Sequence, residues 1–140
     1  MYLKDGSPVQ ILLVEGDADI QQMFTELFAT LGCTVHVVSN CTEALKVVPE
    51  VRPNIVFSSL IFNDMSGLDL CTKLRTIPEL EETIFVALTG YSNVNIRQTV
   101  RDAGFHHYLL KPASFSTLLE PFMSIPSLDR TEILKVNHPD

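Results

Sequence analysis

Five times along this chain, a short apolar run is followed by a stretch with one apolar stripe at helical spacing. Residues 9–14 form the first run, which suits a strand buried on both faces. Ile20, Met23, Phe24, Leu27, Phe28 and Leu31 then fall on one side of a helix, and Gly32 is its expected stop. Residues 34–38 are a second strand. Asn40-x-x-Glu43 is a capping box for a second helix, which Pro49 and Pro53 limit. Residues 54–59, 83–88 and 108–110 supply three more strands. The stripes Leu68–Cys71–Leu74, Ile96–Val100–Ala103 and Leu118–Leu119–Phe122 supply their helices. Ser92 and Ser114 are expected caps, and Pro121 should shorten the last helix.

A strict strand–helix alternation predicts an α/β, doubly wound (βα)5 fold. A parallel five-stranded sheet lies between two helical layers, joined by right-handed crossovers. The alternation occupies residues 9–123 of 140. Residues 1–8 then read as an N-terminal extension. Residues 124–140, with two prolines at 126 and 139 and scattered charge, read as a loose tail or linker.

Charge and composition narrow the function classes. The net charge is −7, which repels phosphate backbones and anionic membranes, so no nucleic-acid or membrane partner is expected. No apolar run reaches the ~18 residues of a membrane span. The first residues lack the basic-then-apolar pattern of a secretory signal, so the expected location is cytoplasmic. Cys33, Cys41 and Cys71 contain no Cys-x-x-Cys pair and read as reduced structural thiols.

Functional residues of such sheets collect at the carboxyl ends of the strands. Here these are Glu15-Gly16-Asp17, Ser39-Asn40, Ser59-Leu60-Ile61, Thr89-Gly90 and Lys111-Pro112. With Ile11-Leu12-Leu13-Val14-Glu15, Glu43-Ala44-Leu45, Pro53-Asn54-Ile55-Val56, Met65-Ser66-Gly67-Leu68, Ala87-Leu88-Thr89, Ala103-Gly104 and Tyr108-Leu109-Leu110-Lys111-Pro112 in this order, residues 9–122 resemble the receiver domain of two-component response regulators. The resemblance implies a flavodoxin-like fold with strand order 2-1-3-4-5. It also implies phosphoryl transfer from a histidine to an aspartate, assisted by Mg²⁺ and a lysine. It implies a cis Lys111–Pro112 bond that aims Lys111 at Glu15 or Asp17, and a switch coupling Thr89 to the aromatic Tyr108.

At the positions that matter most, the chain departs from that pattern. Ser59 falls at the acceptor aspartate and Gly16 at the second acid, while Glu15, Thr89 and Lys111 are kept. The expected pocket is therefore a degenerate one of Glu15, Gly16, Asp17, Ser59, Thr89 and Lys111, with no catalytic residue. No cofactor is expected. Mg²⁺ binding is lost or weak, with Glu15 as a weak candidate ligand. A serine hydroxyl needs a base to act as a nucleophile, and no histidine adjoins Ser59 in the strand-end pattern. Asp64 is an alternative, relocated acceptor, although turn aspartates mostly bond backbone. Asp17 is also the expected cap of the first helix. His106 and His107, adjacent on a strand, point to opposite faces and make a poor metal pair.

Three functions compete. One is a pseudo-receiver in phosphorelay signalling, not an enzyme. It would act by phosphorylation-independent contact with a histidine kinase or output protein, or as a homodimer through the helix 4–strand 5–helix 5 face. The second is a phospho-accepting receiver with a relocated acceptor. The third is a nucleotide or flavin site, which the acidic segment Glu15-Gly16-Asp17-Ala18-Asp19 opposes. The first is the reading the residues favour.

Overall fold

The computed structural model describes residues 1–90, 94–111 and 114–131. Five strands form the sheet: β1 (Gln10–Val14), β2 (Thr34–Val38), β3 (Ile55–Ser59), β4 (Ile84–Thr89) and β5 (His107–Leu110). Five helices follow them in turn: α1 (Ala18–Thr30), α2 (Cys41–Val51), α3 (Gly67–Leu74), α4 (Val94–Asp102) and α5 (Phe115–Leu119). All pairings are parallel, in the order β2-β1-β3-β4-β5. This is the doubly wound, flavodoxin-like arrangement expected from the sequence.

Side-chain alternation divides the core into two layers. Ile11, Leu13, Ile55, Phe57, Val86 and Leu88 face Phe24 and Phe28 of α1 and Leu118 of α5. Leu12, Val14, Val56, Phe85 and Ala87 face Ala44, Val48, Leu70, Leu74 and Val100 of the other three helices. Every residue of β3 and β4 is buried, which explains why these strands read as continuous apolar runs.

The caps follow local rules. The Asp17 carboxylate accepts from the Asp19 and Ile20 amides at 2.9 and 3.0 Å. Asn40 accepts from the Glu43 amide at 2.9 Å, while Glu43 reaches one residue further back, to the Ser39 amide. Ser114 accepts from the Thr117 amide. Gly32, at φ 80°, ends α1. Helix α2 runs past Pro49 to Val51 and closes on Arg52 at φ 46°. At Pro121, α5 tightens into a 3-10 turn over Glu120–Ser124, as expected. The expected Ser92 cap lies outside the described residues, as does Pro112 with its expected cis bond.

Residues 1–8 and the described part of the expected tail, 124–131, meet each other. Leu3 and Leu128 form an antiparallel bridge, flanked by Lys4 N–H to Ser127 O at 2.8 Å and Asp129 N–H to Tyr2 O at 2.9 Å. Met1, Ile125 and Leu128 are buried against α1 and α5. Residues 1–8 and 124–131 are therefore stitched together and packed on the core, not loosely attached. Prolines and charge hide this in the sequence. Ile125 and Leu128 carry the packing, and they are too few to make a periodic signal.

The cysteines are free, as expected, and burial raises the Cys41 thiol to about 11 and the Cys71 thiol to about 12. Among the described residues, no helix is long and apolar enough to cross a membrane.

Candidate functional site

Strand order gathers the strand-end residues. Register pairs Val14 with Ser58, Ser59 with Leu88, and Thr89 with Leu110. Glu15, Ser59, Thr89 and Lys111 thus stand side by side across β1, β3, β4 and β5. The Lys111 amide donates to the Thr89 carbonyl at 2.8 Å, which fixes where its side chain departs. Gly67 seats the N-terminus of α3 against the same edge, its amide on the Leu60 carbonyl at 2.9 Å. A Cβ at Gly67 would lie 2.2 Å from the Ser59 carbonyl oxygen, so only glycine allows this approach.

Three side chains close into one cluster. The Lys111 ammonium donates to Glu15 Oε1 and to Ser59 Oγ, each at 2.5 Å. The Ser59 hydroxyl donates to the same Glu15 oxygen. Glu15 Oε2 accepts the Asp17 amide at 3.0 Å. Glu15 is 4% exposed and Ser59 5%, so the carboxylate would be costly to keep without these donors. One carboxylate meets one ammonium, and the cluster is neutral overall. A cavity of about 230 Å³ opens beside it, lined by Ser59, Ile61, Thr89, Ile96 and Lys111 among others.

Of the expected pocket residues, Glu15, Ser59, Thr89 and Lys111 converge. Gly16 and Asp17 do not line this cavity. The Asp17 carboxylate turns away to cap α1, because the free amides at a helix start are a strong local claim on it. Lys111 accordingly pairs with Glu15 and not Asp17. Tyr108 lies on a different cavity, where the Arg97 guanidinium sits 5.6 Å from its ring centre.

Asp64 is committed elsewhere. It accepts from the Thr42 hydroxyl and amide at 2.7 and 2.8 Å and from the Cys41 amide at 3.4 Å, clamping the start of α2. The Thr42 hydroxyl and amide hold its carboxyl below the usual range. His106 and His107 do face opposite ways. His106 meets Arg75 and the Phe85 amide, and His107 meets Ser124 at 2.7 Å. Among the described residues, no group of three His, Cys, Asp or Glu could hold a metal.

Sequence reasoning missed Gln21. Its amide donates to the Glu15 carbonyl at 2.5 Å and the Ser39 hydroxyl at 3.1 Å, tying α1 to the ends of β1 and β2. No motif marks it, since its partners are six and eighteen positions away.

Comparisons with known proteins agree on one family. The model of the response regulator receiver domain matches residues 11–122. The chain is 31% identical over 104 residues to an uncharacterized 14.6 kDa protein in the sodA1 3′ region of Leptolyngbya boryana, covering 74% of this chain and 79% of that one. It is 29% identical over 112 residues to the response regulator MprA of Mycobacterium sp. (strain KMS), covering 80% of this chain and 48% of that protein. The chain thus spans about half the length of MprA. Among solved structures, chemotaxis protein CheY4 of Vibrio cholerae superposes with a TM-score of 0.79 at 22% identity, over 85% of this chain and 99% of that one. The receiver domain of sensor histidine kinase PA1611 from Pseudomonas aeruginosa PAO1, with a magnesium ion in its active-site cleft, superposes with a TM-score of 0.77 at 21% identity. That match covers 85% of this chain and 98% of the other.

Proposed function

The chain belongs to the response regulator receiver domain family of two-component signalling, and we propose that within it this chain is a pseudo-receiver, which signals by protein–protein contact without aspartyl phosphorylation. The observation that carries this reading is the closed Lys111–Glu15–Ser59 cluster. In a phospho-accepting receiver, the lysine and a divalent cation offset charge on a transferring phosphoryl group. Here the lysine is already offset by Glu15, and the residue beside it is a hydroxyl.

The residues present do not fit Mg²⁺. That ion prefers an octahedral shell of hard oxygens with one or two carboxylates. Among the described residues, Glu15 is the one carboxylate lining the cavity, and three donors already occupy it. Gly16 offers no oxygen from a side chain, and Asp17 caps α1. Ser59 is also a poor nucleophile. Its proton points at a carboxylate that already accepts from a lysine, which makes a weak general base. The reading is therefore of a non-enzymatic, cofactor-free module.

The expected partners are a histidine kinase or an output protein, with a homodimer through α4, β5 and α5 as a further arrangement. A switch needs a ligand with different affinity for two states, and here a partner protein supplies it. The test is titration with Mg²⁺ and beryllofluoride, followed by amide resonances. Thr89 and Tyr108 should not move at millimolar ligand. Saturable shifts of both would overturn the reading.

A further inference from the structure

We propose that the cavity beside the Lys111–Glu15–Ser59 cluster binds a small uncharged molecule, with an apolar body and a carbonyl oxygen that accepts from Lys111. This deepens the pseudo-receiver reading and rests on it, because the closed cluster forms one wall of the cavity.

Charge excludes the alternatives first. Among the described residues that line the cavity, Glu15 and Lys111 are the ionisable ones, and they offset each other. An anion there would meet a lysine already matched by a carboxylate, and would stand close to that carboxylate. A cation would meet the reverse. Either would lose hydration without a net opposite charge to compensate it. A neutral molecule avoids that cost.

Hydrogen bonding then selects an acceptor. An ammonium carries three N–H donors. Lys111 places one on Glu15 Oε1 and one on Ser59 Oγ, and the third has no partner among the described residues. The Ser59 proton is committed to Glu15, and Glu15 Oε2 is taken by the Asp17 amide. What the cluster offers an occupant is therefore a donor. A carbonyl oxygen accepts it and needs no donor in return.

The other wall is apolar, formed by Leu60, Ile61, Leu88 and Ile96. Ile61 is 73% exposed although it lines the cavity, so an apolar body placed against it removes surface from water. A Cβ at Gly90 would meet no atom within 4 Å, so the space at the end of β4 is unfilled. The volume of about 230 Å³ lies below the roughly 300–1,000 Å³ of pockets that take drug-sized ligands. A single ring with one short substituent suits it.

The test is titration of the whole chain, without Mg²⁺, with acetophenone, toluene and benzoate, followed by amide chemical shifts. Acetophenone should give saturable shifts at Ile61, Thr89, Gly90 and Ile96 at about millimolar concentration, the range open to so few atoms. Toluene, which lacks the acceptor, and benzoate, which is charged, should each bind several-fold more weakly. Lys111→Met should weaken acetophenone about tenfold, the worth of a hydrogen bond to a charged group, and should leave toluene no weaker. Ile61→Ser, at an exposed position outside the cluster, should weaken both about threefold or more through lost apolar contact. It keeps the test decisive even where Lys111→Met unfolds. The proposal is overturned if acetophenone moves no resonances, if benzoate binds more tightly than acetophenone, or if Ile61→Ser or folded Lys111→Met binds acetophenone as tightly as the wild type. Beryllofluoride with Mg²⁺ tests the other reading separately. Shifts with those ligands overturn the pseudo-receiver, whereas a failure of acetophenone to bind overturns only the ligand site.

Discussion

Replacing Lys111 with methionine tests whether the strand-end cluster is a buried ion pair or a surface one. The stem is matched in length, so packing changes little and the charge is removed. Glu15 would then stay 4% exposed with only the Ser59 hydroxyl and the Asp17 amide as donors. Breaking a buried pair from one side costs about 3–5 kcal/mol, whereas a surface pair is worth about 0–1. Lys111 keeps 19% of its side chain in solvent, so the expected loss is about 3 kcal/mol, the low end of the buried range. Removing the orphaned charge as well, in Lys111→Met/Glu15→Gln, should recover about 1–2 kcal/mol of that loss, since glutamine is neutral and can still accept from Ser59. Urea denaturation of the wild type, both single variants and the double variant gives the coupling energy, provided the slope is unchanged. A loss under about 1 kcal/mol for Lys111→Met, or singles that simply add, would refute the idea that the pair is closed and desolvated.

Three further outcomes are expected. Gly16→Asp/Ser59→Asp should restore Mg²⁺ binding and acetyl-phosphate labelling, because a Cβ at Gly16 meets only the Ser39 carbonyl at 3.4 Å; Ser59→Asp alone should do less, as measured by Mg²⁺ titration. Gly67→Ala should cost about 3 kcal/mol in urea melts, since the new methyl overlaps the Ser59 carbonyl and Leu60 Cα, and backbone must shift. Burial, aided by Arg75 and His107, lowers the His106 pKa below 6.5, so the unfolded state binds more protons just below that pH. The stability this contributes is present above pH 6.5 and lost as pH falls through the folded value. Chemical denaturation of His106→Gln against wild type from pH 7.5 to 5 should show a shallower acid decline in the variant.

Signals that act over a few residues were legible without coordinates. The five apolar runs, the helical stripes, and the caps at Asp17, Asn40 and Ser114 depend on neighbours within about one turn, so spacing alone reveals them. The order of these elements restricts the sheet to parallel topologies, and the strand ends then name Glu15, Ser59, Thr89 and Lys111 as a set. Local chemistry also settled Asp17, although its two expected roles conflicted. A carboxylate two residues from free helical amides caps the helix, and it could not serve the pocket as well.

Only the tertiary structure decided what those four strand-end residues do together. Lys111 and Glu15 are 96 positions apart, and their contact exists because β1, β3, β4 and β5 lie in that order at matched register. Burial then turns a surface-type pair into a closed cluster, since a carboxylate removed from water must take every donor within reach. The clasp of Leu3 on Leu128 arose in the same way, from two chain ends with no local pattern that meet only once the helices between them are packed. So did the contacts of His106 with Arg75 and the Phe85 amide, which the sequence spreads over 31 positions and the fold brings together. Periodicity encodes which face is apolar; it carries no record of which polar groups will be left facing each other once that face is buried.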